Sequence, residues 1–266
     1  MSIRINRLVP LLTLGAALVL GSLPVAAADG PAESLALVDA MIEAHGGLEA
    51  WASAPTVSFT DEFRHGEATG GQPSRVTVEQ GRRRAYIDFP GTDMRMSWDG
   101  EKAWSENWQA PMPPRFLALL NYYFVNLPWM ARDPGVHLSE VGTATIPNDP
   151  VEYATVKMTF ADDAGDTPDD YYILYIDPAT HRLRATEYIV TYRSILPEGM
   201  AATPPHLLVF DEMTTVGGLV VPTHFTIHEG PAVYATCQIS DWSFEEPFDT
   251  SRMEMPEGAA VDTSSP

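Results

Sequence analysis

The sequence predicts a mainly β protein with minor α content, built on a single curved antiparallel sheet. Three observations carry this. From Pro55 onward apolar and polar residues alternate with period two, the spacing of strands with one buried face. Turn signals separate the alternating runs: Asp99-Gly100, residues 162–170 with Gly165 and Pro168, Asp177-Pro178, Pro204-Pro205, Gly217-Gly218 and Gly230-Pro231. Helical periodicity is confined to residues 33–45 and one later segment. About ten strands joined by short turns, with no linker between them, argue for one meandering sheet.

Taken in order, residues 1–28 read as a cleavable export signal. Arg4 and Arg7 supply the positive start, residues 8–25 carry no charge, and Ala26-Ala27-Ala28 offers the small side chains that signal peptidase accepts. Pro10, Gly15, Gly21 and Pro24 interrupt the apolar run, which favours cleavage over a retained membrane anchor. The expected mature protein starts at Asp29, has no stable transmembrane anchor and is periplasmic or secreted. Cys237 is the only cysteine, so neither an internal disulfide nor a lipid-bearing cysteine at the cut is available. All 36 acidic residues follow Ala28 and two of the 16 basic ones precede it, so the mature chain carries a net charge of −22. Such a field repels nucleic acid, which is excluded as a partner. The expected division is a signal over 1–28, one domain over 29–248 and a loose C-terminal tail over 249–266.

Leu35, Val38 and Ile42 place a helix at residues 33–45. His45 ends it as a cation suited to the helix dipole, and Gly46-Gly47 forms the left-handed cap. The strands follow: Val57 with Phe59, Val76 with Val78, Met94 with Met96 and Trp98, Val156 with Met158, then residues 171–176, 183–192, 207–216, 219–228 and 233–242. Residues 111–129 break the rhythm. Three prolines open the segment, and its helical pattern is apolar on every side, with Asn121 and Asn126 as the uncharged polar breaks. A helix of that kind is buried on more than one side.

Common catalytic signatures are missing: no Gly-x-Ser-x-Gly, no His-Glu-x-x-His, no phosphate-binding glycine loop, no Cys-x-x-Cys. His224 and His228 share a strand face about 13 Å apart, too far for one ion, and Phe225 and Ile227 mark the opposite face as core. Asp162, Asp163, Asp166, Asp169 and Asp170 lack the ligand spacing of a calcium loop, so they read as a solvated hairpin loop. No metal, cofactor or catalytic residue is assigned. Arg82-Arg83-Arg84, taken as strand, offers either an anchor for an anionic head group or side chains snorkelling at a sheet edge.

The aromatic residues are the stronger signal. Trp98, Trp104, Trp108 and Trp129 fall close together, beside the apolar segment. An ordinary core accounts for them as well as a ligand site does. For a site, the candidate ligand-binding residues are Met96, Trp98, Trp104, Phe116, Leu119, Leu120, Tyr123, Phe124 and Trp129. A curved antiparallel sheet with a helical plug is a common container for an apolar molecule.

Asn121-Tyr-Tyr-Phe-Val-Asn-Leu-Pro-Trp129, Asp133-Pro-Gly-Val136, Tyr172-Ile-Leu-Tyr-Ile-Asp-Pro-Ala-Thr180 and Arg182-Leu183 resemble an uncharacterised family of exported bacterial proteins. His45-Gly-Gly-Leu-Glu-Ala-Trp51 and Gly217-Gly-Leu-Val-Val-Pro222 fit the same family, whose layout is similar to the LolA/LolB-like lipoprotein carriers. The resemblance implies a half-barrel of about eleven strands closed by helices, with an apolar cavity for acyl chains. No residue role is carried over from the carriers. The expectation is a non-catalytic exported carrier of an apolar small molecule, a lipid or a lipoprotein acyl chain. The rivals are an envelope enzyme, for which His65, His137 or His181 would have to converge on a pocket floor, and a protein acting through its surface.

Overall fold

A computed structural model describes residues 28–66, 71–162 and 164–266. The expected export signal lies outside them except for Ala28, as does Asp163 of the acidic loop. The Asp29 N–H donates to the Val136 carbonyl at 3.0 Å.

Two helices lead. α1 (Ala32–Ala44) buries Val38, Met41 and Ile42, and the short α2 (Leu48–Ala52), which the sequence did not announce, buries Trp51. Between them Gly47 N–H donates to Ile42 O and Gly46 N–H to Glu43 O, the two bonds of a Schellman cap. Both glycines have positive φ, 104° and 88°. A side chain at Gly46 would also meet the Gly218 carbonyl, because the cap is pressed against a strand turn.

The chain then winds outward from the middle of the sheet: β1 (Thr56–His65), β2 (Pro73–Glu79), β3 (Ala85–Asp88), β4 (Arg95–Trp98) and β5 (Ala103–Glu106). α3 (Pro114–Met130) carries it across to the other limb. There follow β6 (Val136–Leu138), β7 (Gly142–Thr145), β8 (Glu152–Phe160), β9 (Tyr172–Ile176), β10 (Leu183–Tyr188), β11 (His206–Val216), β12 (Leu219–Glu229) and β13 (Ala232–Ser243). β13 returns to pair with β1, and β14 (Ala260–Val261) pairs with β5. The strand order is β14-β5-β4-β3-β2-β1-β13-β12-β11-β10-β9-β8-β6, antiparallel throughout, with β7 also on β8. This single sheet does not close into a barrel.

Among the described residues fourteen strands stand where about eleven were expected. β6, β7 and β14 have two to four residues each, too few for a period-two pattern to register. The strand expected over 183–192 stops at Tyr188, because Val190 and Thr191 turn away to bond Thr203 and Asp170. Arg82–Arg84 lie in the β2–β3 turn and not in a strand. Arg83, at φ 51°, pairs with Asp133 at 2.6 Å, and Arg84 grips Glu79 through two bonds of 2.7 and 2.9 Å. Both cations are therefore neutralised within the chain.

The C-terminal segment is fastened, contrary to the expected loose tail. Arg252 pairs with Asp88 through two bonds, Tyr192 bonds Ser264, and the Asp262 N–H donates to Ala103 O. Composition predicted looseness because few apolar residues are involved; backbone pairing and charge do the fastening instead. The main core lies between the concave face of the sheet and the helices. A second, smaller cluster of Ile146, Tyr153, Tyr175, Ala185 and Val209 packs on the other side of β8–β11.

Candidate functional site

α3 occupies the concavity because the chain must cross from one sheet edge to the other. Pro113 and Pro114 start it, with Pro114 at the first helical position, where its missing N–H costs nothing. The next N–H, of Arg115, donates to the Asp262 carboxylate at 2.7 Å. Arg115 itself makes two bonds to Asp166, at 2.6 and 2.7 Å, and lies 5.2 Å from the Trp98 ring centroid. Thus Asp166 of the acidic loop holds the helix start. Asp170 accepts from Thr167 and Thr191, and its carboxyl is pushed up in pKa by burial, against the pull of these donors. Among the described residues no cluster of His, Cys, Asp and Glu is placed to hold a metal.

At its far end α3 meets α1 and α2. Trp129 stacks on Trp51 with centroids 5.7 Å apart, and its Nε1–H donates to Gly47 O at 3.2 Å. Trp51 Nε1–H donates to Asn126 Oδ1 at 2.7 Å, and Asn126 Nδ2–H returns to Tyr122 O. Tyr122 donates to Gln80. The 45–51 and 121–129 motifs therefore form one packed unit. His45 belongs to it, edge-on to Trp129, but not as a cation. Its Nδ1 bonds Val220 O at 2.8 Å and its Nε2 accepts from Leu183 N–H at 3.1 Å. Burial lowers its pKa to about 4, so it is a neutral bridge from α1 to β10 and β12.

Register assigns the sheet residues to faces. Ala85 opposes Trp98 and Ile87 opposes Met96, while Val76 opposes both Ile87 and Phe59. Cross-strand partners share a face, so Met96 and Trp98 look into the concavity with Phe59 and Val76. Trp104 opposes Ser97 and looks the other way, under residues 251–256. It leaves the candidate set for that reason. Phe124 and Trp129 are buried, whereas Phe116, Leu119, Leu120 and Tyr123 are only half-buried along α3. The concavity is filled by α3 itself: Tyr122, Leu127 and Trp129 have no exposed surface. A cleft of about 400 Å³ opens instead beside the β3–β4 turn, between Phe89, Thr92, Met94 and Asn107.

One end of the concavity is ringed by aromatic side chains. Phe124, Tyr188, His206, Tyr234, His65, Phe63 and Phe225 form a closed circuit of neighbours with centroids 4.7–6.4 Å apart. Tyr234 and His65 open it to solvent, while His206 is buried, with Nε2 3.4 Å from a Glu229 carboxylate oxygen. His65, His137 and His181 do not gather. His65 is in this ring, His137 on β6 pairs with Asp29, and His181 is in the β9–β10 turn. Phe225 and Ile227 face the core, and His224 bonds Asp211 on the outer side.

Sequence reasoning missed a polar cluster inside the apolar concavity. Asp61 is 2% exposed and accepts from Ser74 Oγ–H and Asn121 Nδ2–H. Burial raises its pKa, opposed by those two donors. The signal was present, since Asp61 takes an inward position in the Val57, Phe59, Asp61, Phe63 alternation.

Solved structures superpose on this open sheet and its helices. A LolA superfamily protein from Nitrosomonas europaea superposes with TM-score 0.50 at 10% identity, covering 82% of this chain and 96% of that one. The fold is LolA-like. A DUF1329 family protein from Desulfovibrio piger gives TM-score 0.53 at 9% identity over 83% of this chain and 97% of its own. A Vibrio parahaemolyticus domain assigned to outer membrane lipoprotein sorting gives 0.50 at 8%, over 84% and 96%. No family model matches the chain. No curated protein matches it either. At these identities the likeness is one of fold.

Proposed function

We propose that this protein is an exported, non-catalytic carrier that holds the apolar chain of a lipid or lipoprotein between α3 and the concave face. The observation that carries the reading is α3 itself: a helix with apolar residues on every side, lying in the mouth of an open sheet. Phe116, Leu119, Leu120 and Tyr123 are half-buried there. An acyl chain entering beneath α3 would replace apolar side chains by apolar carbon, so the exchange costs little beyond the helix's polar anchors. The entering chain gains roughly 0.8 kcal/mol per buried CH₂. The LolA-like fold, one of whose solved examples is assigned to lipoprotein sorting, supports the same reading. The Arg4, Arg7 and Ala26–Ala28 signal supports export, with the mature chain starting near Asp29.

The test is binding of Nile red, a neutral apolar dye, followed by its emission, with circular dichroism as the check on folding. Leu120→Glu puts a charge beneath the helix and should weaken binding by about tenfold or more, since burying an unpaired carboxylate costs several kcal/mol. Thr215→Glu, on an exposed position of β11, should bind as the wild type does. Equal binding by a folded Leu120→Glu protein defeats the site. The filled concavity favours one other reading, a protein that acts through its surface; wild-type protein that takes up no apolar probe would support that instead.

A further inference from the structure

Between its two ends α3 makes two polar side-chain contacts among the described residues, Tyr122 on Gln80 just beyond β2 and Asn121 on Asp61 within the concave face. Asp61 stands between Phe59 and Phe63 on β1, and its neighbours across the sheet are Ser74 and Ile239. Asn121 Oδ1 is buried without a hydrogen-bond partner. A carboxylate offers about four acceptor positions and an amide oxygen two. Against them stand the Ser74 hydroxyl and the Asn121 amide. The cluster thus holds surplus acceptors in a dry place, where an apolar residue would serve packing as well or better.

We infer that Asp61 and Asn121 form the polar end of the ligand site, and that the cargo is an alkyl or acyl chain ending in a hydrogen-bond donor such as a hydroxyl, amide or amine. This deepens the carrier reading and rests on it. When α3 lifts, Asn121 leaves the carboxylate and the ligand's donor takes its place, while the chain lies along Phe59, Val76 and Ile87. A carboxylate head brings no donor to these acceptors, so it is rejected.

The probes are 1-dodecanol, dodecyl methyl ether and dodecanoate, each displacing Nile red at pH 7.5. Dodecanol and the ether share a chain and differ in the donor. Wild-type protein should prefer the alcohol over the ether by about tenfold, a difference of about 1.4 kcal/mol, and should bind dodecanoate most weakly. Asp61→Val and Asn121→Leu, whatever their own affinity for Nile red, should bring alcohol and ether within about threefold of each other. If Asp61→Val does not fold, Asn121→Leu carries the comparison. Equal displacement in the wild type, or a preference that survives in a folded variant, overturns the head-group site while dye binding preserves the carrier reading. Wild-type protein that binds neither dye nor probes overturns both.

Discussion

His45 joins three elements through one imidazole, and the ring works only while neutral. Nδ1 serves Val220 on β12, Nε2 serves Leu183 at the start of β10, and the residue itself caps α1. Replacing it with Gln removes a shape that reaches both strands and leaves a buried donor or acceptor unmet, at about 1–3 kcal/mol. Acid should erase that difference. The folded pKa, about 4, lies below the ordinary value of 6.5, so the unfolded chain takes the proton first. The contribution of His45 is complete above pH 6.5 and declines as pH falls toward 4, by on the order of 3 kcal/mol in all. Thermal melts of wild type and His45→Gln at pH 7.5, 6 and 4.5 should show a gap of several degrees that narrows with acid. A gap of constant size would mean that His45 is not buried neutral.

Elements hold one another here through their ends. The start of α3 is fixed from two directions, by Asp166 from the β8–β9 loop and by Asp262 just beyond β14. An anion at a helix N-terminus contributes about 0.3–1 kcal/mol, more when partly buried. β14 adds the pairing of Ala260 with Ser105 and Val261 with Trp104, which closes the edge of β5 beside Trp104. Removing residues 257–266 should therefore lower the melting temperature by several degrees. It should also make Trp104 more accessible to acrylamide and shift tryptophan emission to the red. Unchanged melting and emission would return the segment to the loose tail that its composition suggests.

Across the whole molecule, charge and curvature set the working conditions. Residues 29–266 carry a net charge of −22, while ion pairs such as Arg83–Asp133, Arg84–Glu79, Arg115–Asp166 and Arg252–Asp88 use up part of their positive charge. The remaining acidic residues repel one another over a Debye length, about 10 Å at 0.1 M salt and 3 Å at 1 M. Raising sodium chloride from 10 mM to 0.5 M should stabilise the protein, by on the order of 1 kcal/mol or 2–4 °C for a chain of this size. A melting temperature that falls with salt would show that the ion pairs outweigh the repulsion.

The sequence by itself determined the sheet, its long strands and turns, the capped leading helix and the apolar segment, because each is written in local periodicity or in glycine and proline chemistry. Asn121 and Asn126 were legible as the polar breaks of that segment, and Phe225 and Ile227 as core. Tertiary structure alone decided what those residues meet. Period two says that Met96 and Trp98 share a face, but only the pairing of Trp104 with Ser97 sends Trp104 to the other side. Asn121 acquires its meaning from Asp61, sixty residues away in sequence. His45 is neutral because strands far along the chain close over it, and that loss of water is invisible in a helix read alone. Strand alternation and capping act over a few residues. Burial and the direction of a face are set by which strand lies next to which, and that order is fixed only when β13 returns to β1.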